Sequence, residues 1–236
     1  VLDRVVALKV LHATFQDNPK AMESFLREAK AAASLNHPNI VTVFDAGQDD
    51  GDFFISMEFV EGNTLKELLQ EQEKIPVKAS VLIAGQVCRG LGYAHEKKIV
   101  HRDIKPSNIM WTRKKVVKIM DFGLAKAMEE ARREQTIVGG TPYYMSPEQT
   151  LGESVDHRSD IYSLGVTLFE IVSGKLPFTG GDVGYHHVHT PAPDPRSINP
   201  DIPEAMALAI IRCMEKDPAR RYQSTKELFS DLKKLG

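Results

Sequence analysis

The stretch HRDIKPSN, residues 101–108, sets the carboxylate of Asp103 between the cations Arg102 and Lys105 and places Asn108 five residues beyond it. A carboxylate held among positive charges, with a second metal-competent oxygen close by in sequence, suits chemistry on a strongly anionic substrate. Asp121 opens the tripeptide DFG, and near the start Lys9 ends the run VALK. Each of these residues has an ordinary reading, because Asp and Asn favour turns and a strand lysine is usually solvated. Working together, they need a scaffold that brings segments far apart in the chain to one place.

The elements available for that positioning fall into two halves. Residues 4–11, RVVALKVL, are rich in β-branched residues and read as a strand buried on one face and carrying Lys9. In DNPKAMESFLREAKAAASLNHPN, Asp17 or Asn18 can cap a helix with Pro19 in its first turn, Phe25, Ala29, Ala32 and Leu35 recur at helical spacing, and Asn36 to Pro38 stop it. Glu28 lies at the edge of that apolar stripe. NIVTVFDAG and DFFISMEF flank the polar QDDG and read as a hairpin. From Thr64 onward helices dominate: TLKELLQEQ, KASVLIAGQVCRGLGYAHEKK, residues 158–173, about 203–216 and 222–235. Between them NIMWT and VVKIMDF flank RKK as a second hairpin, GNT at 62–64 reads as a junction, and the proline-rich 190–203 as an irregular surface connection. The pattern predicts an α+β chain, with 1–61 a small, mainly β lobe and its hinge and 62–236 a larger helical lobe.

Composition narrows the function classes. With 236 residues, 42% hydrophobic and 26% charged, the chain is in the ordinary globular range and long enough for a sizeable core. Thirty basic residues against 32 acidic ones give a net charge of -2, which supplies no excess positive field for a nucleic-acid backbone. Nucleic acid is therefore not the expected partner. Cys88 and Cys213 lie far apart with no CxxC spacing, so neither a disulfide framework nor a zinc site is expected, and a reducing cytoplasm fits. The apolar run at 160–174 is interrupted by Asp160, Glu170 and two glycines and falls short of the ~20 residues a spanning helix needs, so it reads as a buried core helix and no membrane segment is expected in this chain. HHVH at 186–189 is read as a polar helix or loop rather than a zinc site, and RKKVVK as a turn.

VALK at 6–9, HRDIKPSN at 101–108, DFG at 121–123 and SPE at 146–148 follow the order of the protein-kinase signature set. One such tripeptide is a coincidence; four in order, each in its expected context, are not. From Val5 to about Leu235 the chain resembles the eukaryotic-like Ser/Thr protein kinases, and GTPYYMSPEQ and DPARRYQS look most like the bacterial branch. The resemblance implies a bilobal protein-kinase fold that uses ATP and Mg²⁺ to phosphorylate Ser or Thr on protein substrates. It implies that Asp103 receives or orients the proton of the attacking hydroxyl, that Lys105 neutralises the phosphoryl group in flight, and that Asn108 and Asp121 hold Mg²⁺. Lys9 would hold the α- and β-phosphates with Glu28 orienting its ammonium. Met57 would close the back of the adenine pocket, Glu58 and Val60 would form the hinge, and Ala7 and Met110 would sandwich the ring. His101 would pack on Phe122, Asp160 would brace the catalytic loop, and Glu148 would pair with Arg221. Lys105 with Thr141 matches enzymes that take a short hydroxyl. Arg102, with Lys126, would pair with a phosphate on Thr136 and order residues 124–140, placed there by trans-autophosphorylation in a homodimer.

Two other classes share this fold. A pseudokinase, acting as a nucleotide-responsive binding module, would not need Lys9, Glu28, Asp103, Asn108 and Asp121 together, and a small-molecule kinase would not need GGTPYYMSPEQ. The G-x-G-x-x-G hairpin that should precede the Lys9 strand has no counterpart in the eight residues before it, so the sequence reads as a truncated N-lobe from a longer protein. Residues 178–187 are a few shorter than in such kinases. The expected location is the cytoplasm, with membrane tethering left to segments outside this sequence.

Overall fold

The computed structural model describes residues 4–10, 19–49, 52–122 and 142–235, and its first sheet consists of β1 (Val6–Val10), β2 (Val43–Asp49) and β3 (Asp52–Glu58). The order is β1-β3-β2, antiparallel throughout, with Ala7 opposite Met57 and Lys9 opposite Ile55. Period-two alternation turns Ala7 and Lys9 toward the partly buried side, while Val6, Leu8 and Val10 are exposed. The buried face of this strand thus carries the lysine, and its bulky apolar residues face out. On β3 the same alternation buries Phe53, Ile55 and Met57 against Phe25 and Ala29 of α1 (Pro19–Ala33). Burying a side chain of this size contributes about 1.5–3 kcal/mol. Pro19 is the first helical residue, as expected; the Asp17 or Asn18 cap lies outside the described residues.

β2 begins at Val43, later than the apolar run suggests, because residues 39–41 pair elsewhere. Val41 N donates to Ile119 O (2.9 Å) and Ile119 N to Asn39 O (2.9 Å), and the Asn39 amide donates to Gln86 Oε1 and Val117 O (both 3.0 Å). The loop after α1 is therefore fastened to the helical lobe.

The 62–64 junction is itself a strand. β4 (Gly62–Thr64), β5 (Ile109–Thr112) and β6 (Val117–Ile119) form a second antiparallel sheet in that order. A Cβ on Gly62 would lie 2.6 Å from Trp111 O, so glycine permits this pairing. Thr64 and Glu67 then form a capping box that starts α2 (Leu65–Gln72). The helical lobe continues with α3 (Val77–Glu96), α4 (Pro147–Leu151), α5 (His157–Ser173), α6 (Val183–His189), α7 (Glu204–Cys213) and α8 (Thr225–Leu232). α5 is buried nearly all round, as a helix apolar on every face must be, and it forms the middle of the core. HHVH falls on α6, with His187 buried beneath Phe178 and Tyr162. The 190–203 connection is less superficial than its prolines suggest: Asn199 donates to Val172 O (2.7 Å) and Ile202 is buried. The result is an α+β, bilobal arrangement of a small sheet-rich N-lobe and a larger helical C-lobe. Among the described residues no helix is long and apolar enough to cross a membrane.

Candidate active site

Asp160, in the first turn of α5, is fully buried and organises the loop that precedes β5. Its carboxylate accepts from His101 N (2.9 Å), Arg102 N (2.7 Å) and His95 Nε2 (2.7 Å). Burial alone would raise its pKa, but the His95 hydrogen bond, the nearby imidazoles and the His101 amide outweigh burial and lower it. Holding two successive amides on one carboxylate turns the chain sharply, and Arg102 takes φ 69°, in the left-handed region. His101 secures the other side of the loop. Its Nε2 donates to Met120 O (2.7 Å), its Nδ1 accepts from Asp103 N (3.2 Å), and its ring lies 4.6 Å from that of Phe122, edge on.

These ties present Asp103 at the surface of the cleft. Asp103 Oδ2 lies 2.7 Å from Lys105 Nζ and accepts from Asn108 Nδ2 at 2.9 Å. The same Nδ2 donates to Asp103 O (2.8 Å), and a 3-10 turn at Pro106–Asn108 delivers Asn108, buried, to the start of β5. Committing Nδ2 in this way fixes the amide and leaves Oδ1 as its metal-competent atom.

Asp121 follows β6 with φ 63°, and its Oδ2 lies 2.8 Å from Lys9 Nζ on β1. This ion pair crosses between the lobes. Glu28, on α1, has Oε1 3.7 Å from Arg27 Nε, and among the described residues Lys9 pairs with Asp121 rather than with Glu28 as expected. Above the cleft Met57 is buried and Ala7 and Val60 pack on its cluster. The Glu58 carboxylate turns toward Lys118 (2.7 Å) and Thr42 N (3.2 Å), leaving only main chain of this residue for the cleft side. Met110, half-buried on β5, lies opposite Lys118 in the ladder. Val43, Ile55, Met57 and Phe122 line an apolar cavity that ends at Asp121.

Beyond the loop, Gln149 Nε2 donates to Arg102 O (2.8 Å) and ties it to α4, which starts from a Ser146–Gln149 capping box. Glu148 and Arg221 form a buried two-pronged pair at 2.8 and 2.7 Å, with Ser159 also donating to Glu148. Burial pushes the Glu148 pKa up, yet the bonds from Arg221 and Ser159 outweigh it and the net direction is down. Arg221 also donates to Glu215 O, Arg158 O and Lys216 O, so all five of its donors are used. Tyr144 Oη donates to Glu170 (2.6 Å) and Ser163 Oγ to Tyr144 O (2.7 Å), which fastens residues 142–146 to α5. Sequence reasoning missed His95, Tyr144, Gln149 and Glu170. Of these only Gln149 carries a local signal, the S-x-x-Q of its capping box. Arg102 Nε is buried with no hydrogen-bond partner among the described residues. Thr136, Thr141 and Lys126 lie outside the described residues.

The protein kinase domain family matches residues 2–231. A probable serine/threonine-protein kinase of Clostridium perfringens is 42% identical over 99% of this chain and 35% of its own length. Serine/threonine-protein kinase PrkC of Bacillus subtilis is 37% identical over 99% of this chain and 37% of its own, and PknB of Mycobacterium leprae 39% identical over 98% and 39%. The chain thus spans little more than a third of these curated relatives. The crystal structure of the Mycobacterium tuberculosis PknI kinase domain aligns with a TM-score of 0.78 at 26% identity, covering 98% of this chain and 86% of that one. With its signature segments gathered between two lobes and a family match over almost its whole length, this chain belongs to the protein kinase domain family.

Proposed function

We propose that this chain is the catalytic domain of a serine/threonine protein kinase that transfers the γ-phosphoryl group of ATP to Ser or Thr hydroxyls on protein substrates. The observation that carries this reading is the Lys9–Asp121 pair held across the cleft from the Asp103–Lys105–Asn108 cluster. In this reading residues 1–61 are the N-lobe and hinge and 62–236 the C-lobe.

The donor set fits Mg²⁺, since Asn108 Oδ1 and the Asp121 carboxylate are hard oxygen ligands. Bound there, the ion would neutralise charge on the phosphates. Asp103 has both its ties on Oδ2, from Lys105 and Asn108, so Oδ1 is the atom that receives the proton of the acceptor hydroxyl. Lys105 remains close enough to share charge that develops on the transferring group. Lys9 is the phosphate-holding cation; to serve, it exchanges Asp121 for phosphate oxygens, and Glu28 on α1, which does not pair with it in this arrangement, would have to approach to orient its ammonium. Ala7, Met57, Val60 and Met110 wall the adenine, and main-chain groups of Glu58 and Val60 read its edge. Phosphate on Thr136 or Thr141, added in trans by a second copy, would find a partner in Arg102.

Transfer of radiolabel from ATP to a generic basic protein tests the reading. Asp103→Asn should retain nucleotide binding and lower transfer by about 10²–10⁴-fold, the usual worth of a general base. Undiminished transfer by that variant would remove Asp103 from the chemistry. Peptide mapping after incubation with ATP tests the regulatory part: phosphate should appear on Thr136 or Thr141, and Arg102→Gln should blunt its effect on rate.

A further inference from the structure

A groove of about 280 Å³ opens on the flank of the C-lobe, away from the cleft, between α3, α8 and the loop that follows α1. Its floor is Cys88 and Gly92; a Cβ on Gly92 would come within 2.9 Å of Thr225 Oγ1, so glycine lets the two helices approach this closely. Its sides are aromatic. The Tyr93 ring is held in place, stacked on His37 at 5.2 Å, with Tyr93 Oη accepting from Asn36 N (3.3 Å), and Phe229 stands on the α8 side.

The charges at its mouth are asymmetric. Arg89 and Lys226 both line the groove and are exposed, and among the described residues neither forms an ion pair. The Arg89 guanidinium lies 5.7 Å from the Phe229 ring centre, so one cation is already set beside one aromatic wall. Glu96, the acidic lining residue, stands two turns along α3 from Arg89, about 10 Å away. Burial, with the charges of Arg89 and Lys118, lowers the His37 pKa, so that side stays uncharged and polarisable.

We propose that this groove is a binding site for a small aromatic carboxylate, its ring against Tyr93 and Phe229 and its charge on Arg89 and Lys226. Ligand pockets run from about 300 Å³ upward, so this volume suits a single ring rather than a nucleotide or an extended peptide. The guanidinium fork matches a carboxylate in two-pronged geometry. His37 belongs to the loop whose next residues, Asn39 to Val41, are fastened to α3 and β6, so a ligand here would touch the connection between the lobes.

Calorimetry on the chain saturated with Mg·ADP, which keeps the probe out of the cleft, decides the matter with phenylacetate as probe. Phenylacetate should bind, benzyl alcohol (ring without charge) and acetate (charge without ring) at least about tenfold more weakly. The double variant Arg89→Gln, Lys226→Gln should weaken phenylacetate at least tenfold with an unchanged thermal midpoint when no probe is present. The proposal is overturned by no phenylacetate binding, by acetate or benzyl alcohol binding as well as phenylacetate, or by full binding to the double variant. Binding of an acidic aromatic peptide where phenylacetate fails would overturn it too, in favour of a protein partner.

Discussion

His187 shows how far one buried side chain can govern this molecule. It lies on the buried face of α6 with its Nδ1 2.9 Å from the Tyr162 hydroxyl, beside Lys216, and burial followed by the Lys216 charge lowers its pKa to about 4. The folded chain therefore refuses a proton that the unfolded chain accepts near pH 6.5. The linked stability is complete above about pH 6.5 and is lost as pH falls toward 4, amounting to about 3 kcal/mol across that window. Urea midpoints for the wild type should fall steeply between pH 7 and 5, and His187→Gln should flatten that slope; parallel slopes would show that His187 does not hold back the proton. The cleft supplies a second contrast between neighbouring residues. Asp121→Ala should weaken Mg·ATP binding along with transfer, whereas Asp103→Asn should spare binding, and nucleotide titration of both variants separates the roles. Asp103, Lys105, Asn108 and Asp121 could be named as candidates from the sequence because the signature set keeps fixed local spacing. Of their supports, Asp160 and His101 were foreseen through the resemblance, but His95, Tyr144 and Glu170 were not, because the links from Asp160 to His95 and from Tyr144 to Glu170 span 65 and 26 residues and leave no period to read.

Among the helices, the long ones were legible and the shortest were not, for a geometric reason. α3 and α5, at 20 and 17 residues, repeat their apolar stripe often enough to declare a helix, but α4 and α6 have five and seven residues, less than two full turns. What marks α4 is chemistry at its start, the reciprocal bonds between Ser146 and Gln149, and then the pair that its Glu148 makes with Arg221. Arg221 is fully buried, so Glu148→Ala would strand its charge and should cost about 3–5 kcal/mol. Glu148→Gln, which keeps an acceptor, should cost less, and chemical denaturation of both ranks them. Gly62→Ala tests β4 in the same way. Its Cβ would strike Trp111 backbone, so the second sheet should loosen and the thermal midpoint should fall; an unchanged midpoint would mean the strand shifts at no cost. The beginning of β2 was misread because an apolar run cannot say which partner it pairs with, and Ile40 and Val41 pair with β6 instead.

At the scale of the whole molecule, the division into a sheet-rich and a helical lobe was legible because residues 4–61 carry strand signals around one helix and the remainder is mainly helical. The second link between the lobes was not legible. The backbone passes between them at 59–61, but residues 39–41 also add a rung to β6 and a bridge from Asn39 to Gln86. A rigid body pinned at two separated points keeps a single swivel, about the line through the pins. Rocking of the small lobe should therefore leave the amides of Val41 and Ile119 among the slowest to exchange with solvent. Displacement should grow with distance from that line, so Lys9 travels through an arc while the rung at Ile119 stays still. Such rocking would open and shut the cleft as a book does on its spine, with the lysine near the page's outer margin.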